Sequence, residues 1–425
     1  MDNNQNQYLP RLIESQIELK LRAKGCVLIE GPKWCGKSTT AKLFAKTVVE
    51  LQRTEVFQSY KTFIDMGDAL LFRGEKPIMF DEWQKIPQLW DDIRADIDDG
   101  GKRGQFILTG SAKPIEDKGR HSGTGRIAKL LMRTMSLYES KDSTGEVSLA
   151  SLFKGETNIT GVCNHNLERL AFLICRGGWP EVMFDDENLA LDAALDYLET
   201  LTDKDITDVD EIKRNPLRAK TILRAYARNI STPARLTTIQ GDIEANDAVL
   251  DPRTLDSYIN AFEKLFVIED VIAWSPSLRS KTTIRTTNIR QFIDPSIACA
   301  ALGISPNDLT GDLKTFGLLF ESMVIRDLRV YAECMGGKVY QYHDADGLEA
   351  DAIIHLNNGD WGAVEIKLGG EKFIDDAAKS LLALKKKINT DKMREPKFLA
   401  VVTGTQYAHR RPDGVLVVPI GCLKN

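Results

Sequence analysis

The stretch richest in chemistry is Gly31-Pro32-Lys33-Trp34-Cys35-Gly36-Lys37-Ser38, followed by Thr39. It satisfies the spacing G-x-x-x-x-G-K-[ST] completely. In such a loop the backbone N–H groups turn inward on phosphate oxygens, a geometry that glycine permits. A helix opening at Ser38 would present its positive end to the same anions. Lys37 is placed to reach β- and γ-phosphates. The Ser38 hydroxyl suits Mg²⁺, which keeps several waters and needs few protein ligands. A second signal, Ile78-Met79-Phe80-Asp81-Glu82, is an apolar run ending in two carboxylates. At the carboxyl edge of a parallel sheet, where open α/β sheets bind ligands, Asp81 is expected to hold Mg²⁺ through its water shell. Glu82 is expected to orient or activate an attacking water. In Phe106-Ile107-Leu108-Thr109-Gly110-Ser111 a third run ends in hydroxyls. Thr109 and Ser111 are both candidates for touching the γ-phosphate or the water, and sequence does not choose between them. Gly119-Arg120-His121-Ser122-Gly123-Thr124-Gly125-Arg126 offers two guanidiniums. Arginine carries a permanent charge on a planar fork, which suits it to meet a γ-phosphate in cis or from a neighbouring subunit. Arg126 is preferred over Arg120.

A separate constellation lies near the end of the chain. Glu349-Ala350-Asp351 opens an apolar strand, and Glu365 and Lys367 stand two apart in Ala363-Val364-Glu365-Ile366-Lys367. Residues two apart on a strand share a face. With Asp351 on the adjacent strand, two carboxylates would form a hard-oxygen site for Mg²⁺ or Mn²⁺, and Glu321 on the preceding helix is a further candidate ligand. Lys367 could position or deprotonate a water, or stabilise a pentavalent phosphorane. Metal-bound water attacking a phosphodiester is a coherent mechanism for such a set.

The elements that must hold these residues follow from hydrophobic periodicity. The runs 26–30, 77–81 and 104–110 read as strands, with helices over 38–51 and 89–97 between them, so a parallel sheet covered by helices is expected. From about residue 164 to 228 the pattern is helical and charged. Leucines at 191, 195, 198 and 201 share a helix face, and Pro216 opens another helix. Helices over 217–272 followed by short strand candidates at 265–268 and 282–292 suggest a winged helix. The last 110 residues return to α/β, with a helix over 315–334, strands at 338–342, 350–356, 362–366, 398–402 and 415–418, and a helix over 375–388. Three domains are expected: 1–160, 161–305 and 306–425. At 425 residues, two to four domains is also the general expectation, at roughly 100–200 residues each.

Composition narrows the classes. Lys and Arg number 56 against 61 Asp and Glu, a net charge of −5, which speaks against a histone-like or ribosomal chain but not against a local basic footprint for nucleic acid. The seven cysteines form no Cys-x-x-Cys pair and the five histidines none at i, i+4, which reads as reduced thiols rather than disulfides or zinc. The polar start Met1-Asp2-Asn3-Asn4-Gln5 and the lack of any run of ~18 apolar residues lead to the expectation of a cytoplasmic chain without a membrane span.

These residues together resemble the prokaryotic AAA-type ATPases that carry a C-terminal domain of unknown function with a restriction-endonuclease-like core. The N-terminal markers are Gly31 to Ser38, Phe80-Asp81-Glu82-Trp83-Gln84-Lys85-Ile86-Pro87, Ile107-Leu108-Thr109-Gly110-Ser111, Gly125-Arg126 and Ser136-Leu137-Tyr138-Glu139-Ser140. The middle is similar through Gly177-Gly178-Trp179-Pro180 and Thr254-Leu255-Asp256-Ser257-Tyr258. The C-terminal markers are Phe292-Ile293-Asp294-Pro295, Gly317-Leu318-Leu319-Phe320-Glu321, Glu349-Ala350-Asp351 and Glu365-Ile366-Lys367, the last three following the PD-(D/E)XK nuclease pattern. Many members carry Arg or Gln and then Val or Thr inside the phosphate loop, where this chain has Pro32, Lys33, Trp34 and Cys35. The resemblance implies this domain plan and these sites but no biological task; the leading expectation is an Mg²⁺-dependent ATPase coupled to a DNA-directed module, a nuclease if its C-terminal site is active, acting alone or as a homo-oligomer. The alternative is an ATP-gated switch whose nuclease-like domain serves only as a docking platform.

Overall fold

The computed structural model describes residues 8–67, 69–113, 123–245, 249–275, 287–388 and 393–425. The first region comprises α1 (Glu14–Ala23), β1 (Cys26–Glu30), α2 (Lys37–Lys42), β2 (Thr47–Glu50), α3 (Thr54–Met66), β3 (Ile78–Asp81), α4 (Leu89–Gly100), β4 (Phe106–Gly110) and β5 (Ile127–Leu131). Its five strands are all parallel, in the order β2-β3-β4-β1-β5. Strands buried on both faces read as continuous apolar runs, as 26–30, 78–81 and 106–110 do. Leu28, Phe80 and Phe106 pack to one side with Trp83 and Trp90, while Val27, Ile29, Met79 and Ile107 pack to the other against Ile17 of α1. Parallel direction brings the carboxyl ends of β1, β3 and β4 to one edge. Register sets Thr109 between Ile29 and Asp81 at a common level.

The helix expected over 38–51 is corrected by the structure. It ends at Lys42, and Thr47–Glu50 forms an edge strand beside β3. The β-branched pair Val48-Val49 favours the pleated conformation, and Val49 buries in the same core as Phe80.

A linking segment contains β6 (Val147–Ser148), α5 (Leu149–Phe153) and β7 (Gly161–Val162). The middle is helical: α6 (Leu167–Arg176), α7 (Glu187–Thr200), a π-turn over Leu201–Asp205, α8 (Ile206–Asp208), α9 (Pro216–Arg228), α10 (Leu236–Glu244), α11 (Pro252–Lys264) and α12 (Pro295–Leu302). Pro216 opens α9, with the Asn215 side chain accepting from the Arg218 N–H. The strand candidates after α11 are reduced to antiparallel bridges, Ile268 with Phe292 and Val271 with Ile289. Residues 276–286, which include part of the expected 282–292 strand, lie outside the described residues.

The final region contains α13 (Pro306–Gly311), α14 (Leu313–Cys334), β8 (Gly337–His343), β9 (Glu349–Leu356), β10 (Trp361–Lys367), α15 (Glu371–Lys387), β11 (Leu399–Thr403), β12 (Tyr407–Arg410), β13 (Leu416–Pro419) and β14 (Leu423–Lys424). Its mixed sheet has the order β7-β12-β13-β11-β10-β9-β8. β7 therefore reaches this sheet from before the helical middle, and β6 pairs with β14. One apolar core runs through the helices and one face of this sheet, joining Leu170 and Tyr226 to Phe316 and Phe320 of α14 and to Val364 and Ile366 of β10. α15 covers the opposite face, on Ile353, Trp361 and Ala363. No helix among the described residues is long and apolar enough to cross a membrane.

Candidate functional site

The loop from Gly31 to Gly36 joins β1 to α2 at the carboxyl edge of the parallel sheet. Its glycines are obligatory for different reasons. Gly31 has φ 154°, and a Cβ there would lie 2.1 Å from the Met132 carbonyl oxygen. Gly36 has φ 94°, a left-handed turn that leads directly into the helix. Lys37 is buried, and its Nζ donates to the Pro32 carbonyl at 2.6 Å, curled back over the loop. Ser38 Oγ donates to Asp81 Oδ1 at 2.6 Å, and Thr109 Oγ1 donates to the same oxygen at 2.5 Å. A hydroxyl and a carboxylate thus already face one another beside the loop, hard-oxygen chemistry that fits Mg²⁺.

Glu82 takes the left-handed conformation, φ 57° and ψ 46°. This is costly for a residue with a Cβ and recurs at sites where the surroundings enforce it. The kink ends β3 and sends the two successive carboxylates to different partners. Glu82 Oε2 accepts from Ser111 Oγ at 2.8 Å and from Gln84 Nε2 at 2.5 Å. The two hydroxyl candidates are therefore separated by geometry, Thr109 serving Asp81 and Ser111 serving Glu82.

A cavity of about 890 Å³ opens over the loop. One wall holds Lys33, Trp34, Gly36, Lys37, Ser38, Thr39 and Glu82; the facing wall comes from the helical middle, with Pro180, Glu181, Lys204 and Asp208. The loop positions without phosphate chemistry dock it to that wall. Lys33 Nζ pairs with Asp205 at 2.6 Å, and the Trp34 ring meets Tyr197 edge-on at 6.0 Å between centroids. The π-turn over Leu201–Asp205 supplies both Lys204 and Asp205, in keeping with the use of such turns at functional sites. Cys35 donates through Sγ to the Met132 carbonyl at 3.3 Å, and its own carbonyl accepts from Arg11 Nη1 at 2.6 Å. Arg11 and Lys204 escaped the sequence reading, because no motif spacing marks them; Gln84 stood in the run Phe80 to Pro87 but was given no role there.

Arg126 is not brought to this cavity. It precedes β5, whose first residue pairs with Cys26 at the amino end of β1. Four strand steps of ~3.3 Å, about 13 Å, separate that end from the loop edge. Its guanidinium is half exposed and paired with Asp98 at 2.7 Å. Within one chain the parallel sheet thus places Arg126 and the phosphate loop at opposite ends of β1. Arg120 lies outside the described residues.

The C-terminal constellation is assembled. The pairing of Ala363 with Ile353 and Val364 with Ala352 continues to set Glu365 beside Asp351. Lys367 Nζ sits between them, 2.8 Å from Glu365 Oε2 and 3.1 Å from Asp351 Oδ2. Asp351 Oδ2 also accepts from the Ile366 N–H at 2.7 Å. Burial, reinforced by the Asp351 charge and opposed by Lys367, pushes the Glu365 carboxyl up to about 8. Burial and then Asp351 push Glu321 well above the ordinary carboxylate range, which places Glu321 in the same electrostatic cluster. Burial disfavours charge on Lys367, but Asp351 and Glu365 outweigh it and raise its pKa. Glu365 Oε1 is buried without a hydrogen-bond partner, and such an orphaned oxygen fits a cation. In this arrangement the Lys367 ammonium lies between the two carboxylates, and among the described residues no three His, Cys, Asp or Glu side chains are grouped as a metal site.

Three family models match separate stretches: an AAA domain over residues 23–141, a domain of unknown function (DUF8612) over 167–308, and a second (DUF4143) over 316–423. The chain thus carries an N-terminal AAA-type P-loop ATPase domain followed by two domains of unassigned role, and ATP is the ligand that domain implies. No curated protein matches. Among solved structures, the Walker-type ATPase PABY2304 of Pyrococcus abyssi is similar at 15% identity and a TM-score of 0.41, covering 69% of this chain and 96% of its own.

Proposed function

We propose that the chain is an Mg²⁺-dependent ATP hydrolase whose nucleotide cleft is coupled to a DNA-directed C-terminal module. The observation that carries the first half is the hydrogen-bonded set Ser38, Asp81 and Thr109 beside a complete phosphate loop, with Glu82 held separately by Ser111 and Gln84. In this reading the loop N–H groups and Lys37 bind the phosphates. Ser38 and Asp81 hold Mg²⁺, which when bound offsets the triphosphate charge. Glu82 orients the attacking water and takes its proton, and its two neutral donors keep the carboxylate aimed. The wall from the helical middle flanks the cleft with Pro180, Glu181, Lys204 and Asp208. Arg126, exposed at the opposite sheet edge, acts only in trans, in a homo-oligomer. The parts 1–160, 161–305 and 306–425 are the ATPase, winged-helix-like and nuclease-like units of this scheme.

In the C-terminal unit Asp351 and Glu365, with Glu321 beside them, hold Mg²⁺ or Mn²⁺ once Lys367 swings from between them to a water or to the phosphodiester. The orphaned Glu365 Oε1 supports this assignment. The second reading, an ATP-gated switch with a nuclease-like docking platform, is favoured by one observation: Lys367 already bridges the carboxylate pair. A paired assay on the purified chain separates them, measuring ATP turnover with and without DNA and cleavage of labelled single- and double-stranded DNA in Mg²⁺ and Mn²⁺. Turnover abolished by Lys37→Ala supports the ATPase; turnover unchanged in that variant refutes it. DNA cut in neither metal leaves the switch as the correct reading.

A further inference from the structure

Arg11 lies ahead of the residues matched as an AAA domain, and its side chain is buried against the phosphate loop. Each of its three nitrogens donates to a protein oxygen. Nη1 reaches the Cys35 carbonyl at 2.6 Å, Nη2 the Arg133 carbonyl at 2.8 Å and Nε the Glu139 carboxylate at 3.1 Å. Glu139 is itself fixed: Oε1 also accepts from the Leu12 N–H, and Oε2 from the Ser136 N–H and Oγ. The guanidinium is therefore anchored on one side and grips a loop carbonyl on the other.

The consequence follows from peptide geometry. In a planar trans peptide the C=O and the next N–H point in opposite directions, and the Cys35–Gly36 bond is trans. Holding the Cys35 oxygen on Arg11, which borders the cleft, fixes the plane of this peptide and turns the Gly36 N–H away from the guanidinium. Gly36 cannot enforce this itself, since glycine accepts positive and negative φ about equally. Released, the same peptide could turn its carbonyl oxygen toward the phosphates and replace a donor with a repelling acceptor.

We infer that Arg11 is a positioning residue for nucleotide binding, acting through the Cys35 carbonyl to hold the Gly36 N–H toward the phosphate site. This rests on the reading of the cleft as an ATP site. The test compares steady-state ATP hydrolysis by the full-length wild type, Arg11→Met and Arg11→Lys, with thermal unfolding of each chain in the absence of nucleotide. Methionine keeps much of the side-chain length but has no donor; lysine keeps one donor and the charge. Loss of one charge-assisted grip corresponds to a change of about 10- to 100-fold. The expected result is a KM for ATP raised by about that factor in Arg11→Met with kcat little changed, the pattern of lost uniform binding, and most of it recovered in Arg11→Lys. A merely structural role would lower the unfolding temperature without this split or this recovery. If Arg11→Met is too unstable to assay, a wild-type-like KM in Arg11→Lys with a donor-free Arg11→Leu raised as above decides in favour. An unchanged KM in Arg11→Met, or equal losses in Met and Lys, overturns the inference while wild-type turnover leaves the ATPase reading intact. A wild-type chain that binds no ATP overturns both.

Discussion

Glu269 joins three parts of the molecule, and replacing it by glutamine isolates the energy of that joint. Its oxygens accept from Arg133 at 2.6 and 2.7 Å, just beyond β5, and lie 3.4 Å from Arg329 of α14. Burial opposes ionisation here, but Arg133 and then Arg329 outweigh it and hold the carboxyl down at about 2, against an ordinary 4.5. A tenfold change in an equilibrium constant is about 1.4 kcal/mol, so this depression corresponds to about 3 kcal/mol of folding stability. The sign is that of a depressed carboxylate. The contribution is complete above pH 4.5 and is lost as the pH falls toward 2. Glutamine imitates the protonated acid, so Glu269→Gln should be less stable than wild type by about 3 kcal/mol at pH 7 and by about 2 kcal/mol at pH 3.5. Urea unfolding of both chains at the two pH values measures the difference, in which carboxylates common to both largely cancel. A loss below about 1 kcal/mol at pH 7, the range of an exposed pair, would refute the assignment of Glu269 as a partly buried clamp. A loss that does not shrink on acidification would refute the electrostatic cause.

Three further outcomes test the sites. Glu82→Gln should still bind ATP, measured by calorimetry, while turnover falls by about 10²–10⁴-fold, the usual range for a positioned base; unchanged turnover would remove Glu82 from the chemistry. Arg126→Ala should lower turnover without weakening ATP binding, and mixing it with Lys37→Ala should restore part of the activity, because the intact arginine of one copy would serve the intact loop of another. No recovery on mixing and no loss in Arg126→Ala alone would leave that residue as a surface partner of Asp98. Asp351→Ala and Lys367→Ala should each abolish metal-dependent cleavage of labelled DNA with ATP hydrolysis retained, read on the same preparations; cleavage surviving both substitutions would place any nuclease activity elsewhere.

The local chemistry of the phosphate site was legible in the sequence because it is written in contiguous residues. Gly31 to Ser38 must be a loop between strand and helix, and Asp81-Glu82 must follow an apolar strand, since those backbone demands are met within a few residues. The central strands β1, β3 and β4 were legible for the same reason, each being an apolar run buried on both faces. The C-terminal trio was legible because strand alternation pairs Glu365 with Lys367, and an adjacent strand can bring Asp351 beside them. Where local pattern was ambiguous the reading failed: 38–51 has enough apolar residues for a helix, yet Val48-Val49 completes a sheet edge that exists only once β3 is in place.

Contact between distant segments was decided by the tertiary structure alone. Which hydroxyl serves which carboxylate depends on the register of β4 against β3, which no spacing encodes. The edge on which Arg126 emerges depends on all five strands running the same way. The grip of Arg11 on Cys35 spans 24 residues and the clamp of Arg133 on Glu269 spans 136. Residue types and near-neighbour spacing determine which chemistry a chain can perform, because they act through backbone geometry over one or two turns or strands. Orientation, partner choice and shared walls come from packing, which is set by the complementarity of whole elements and is invisible until they meet.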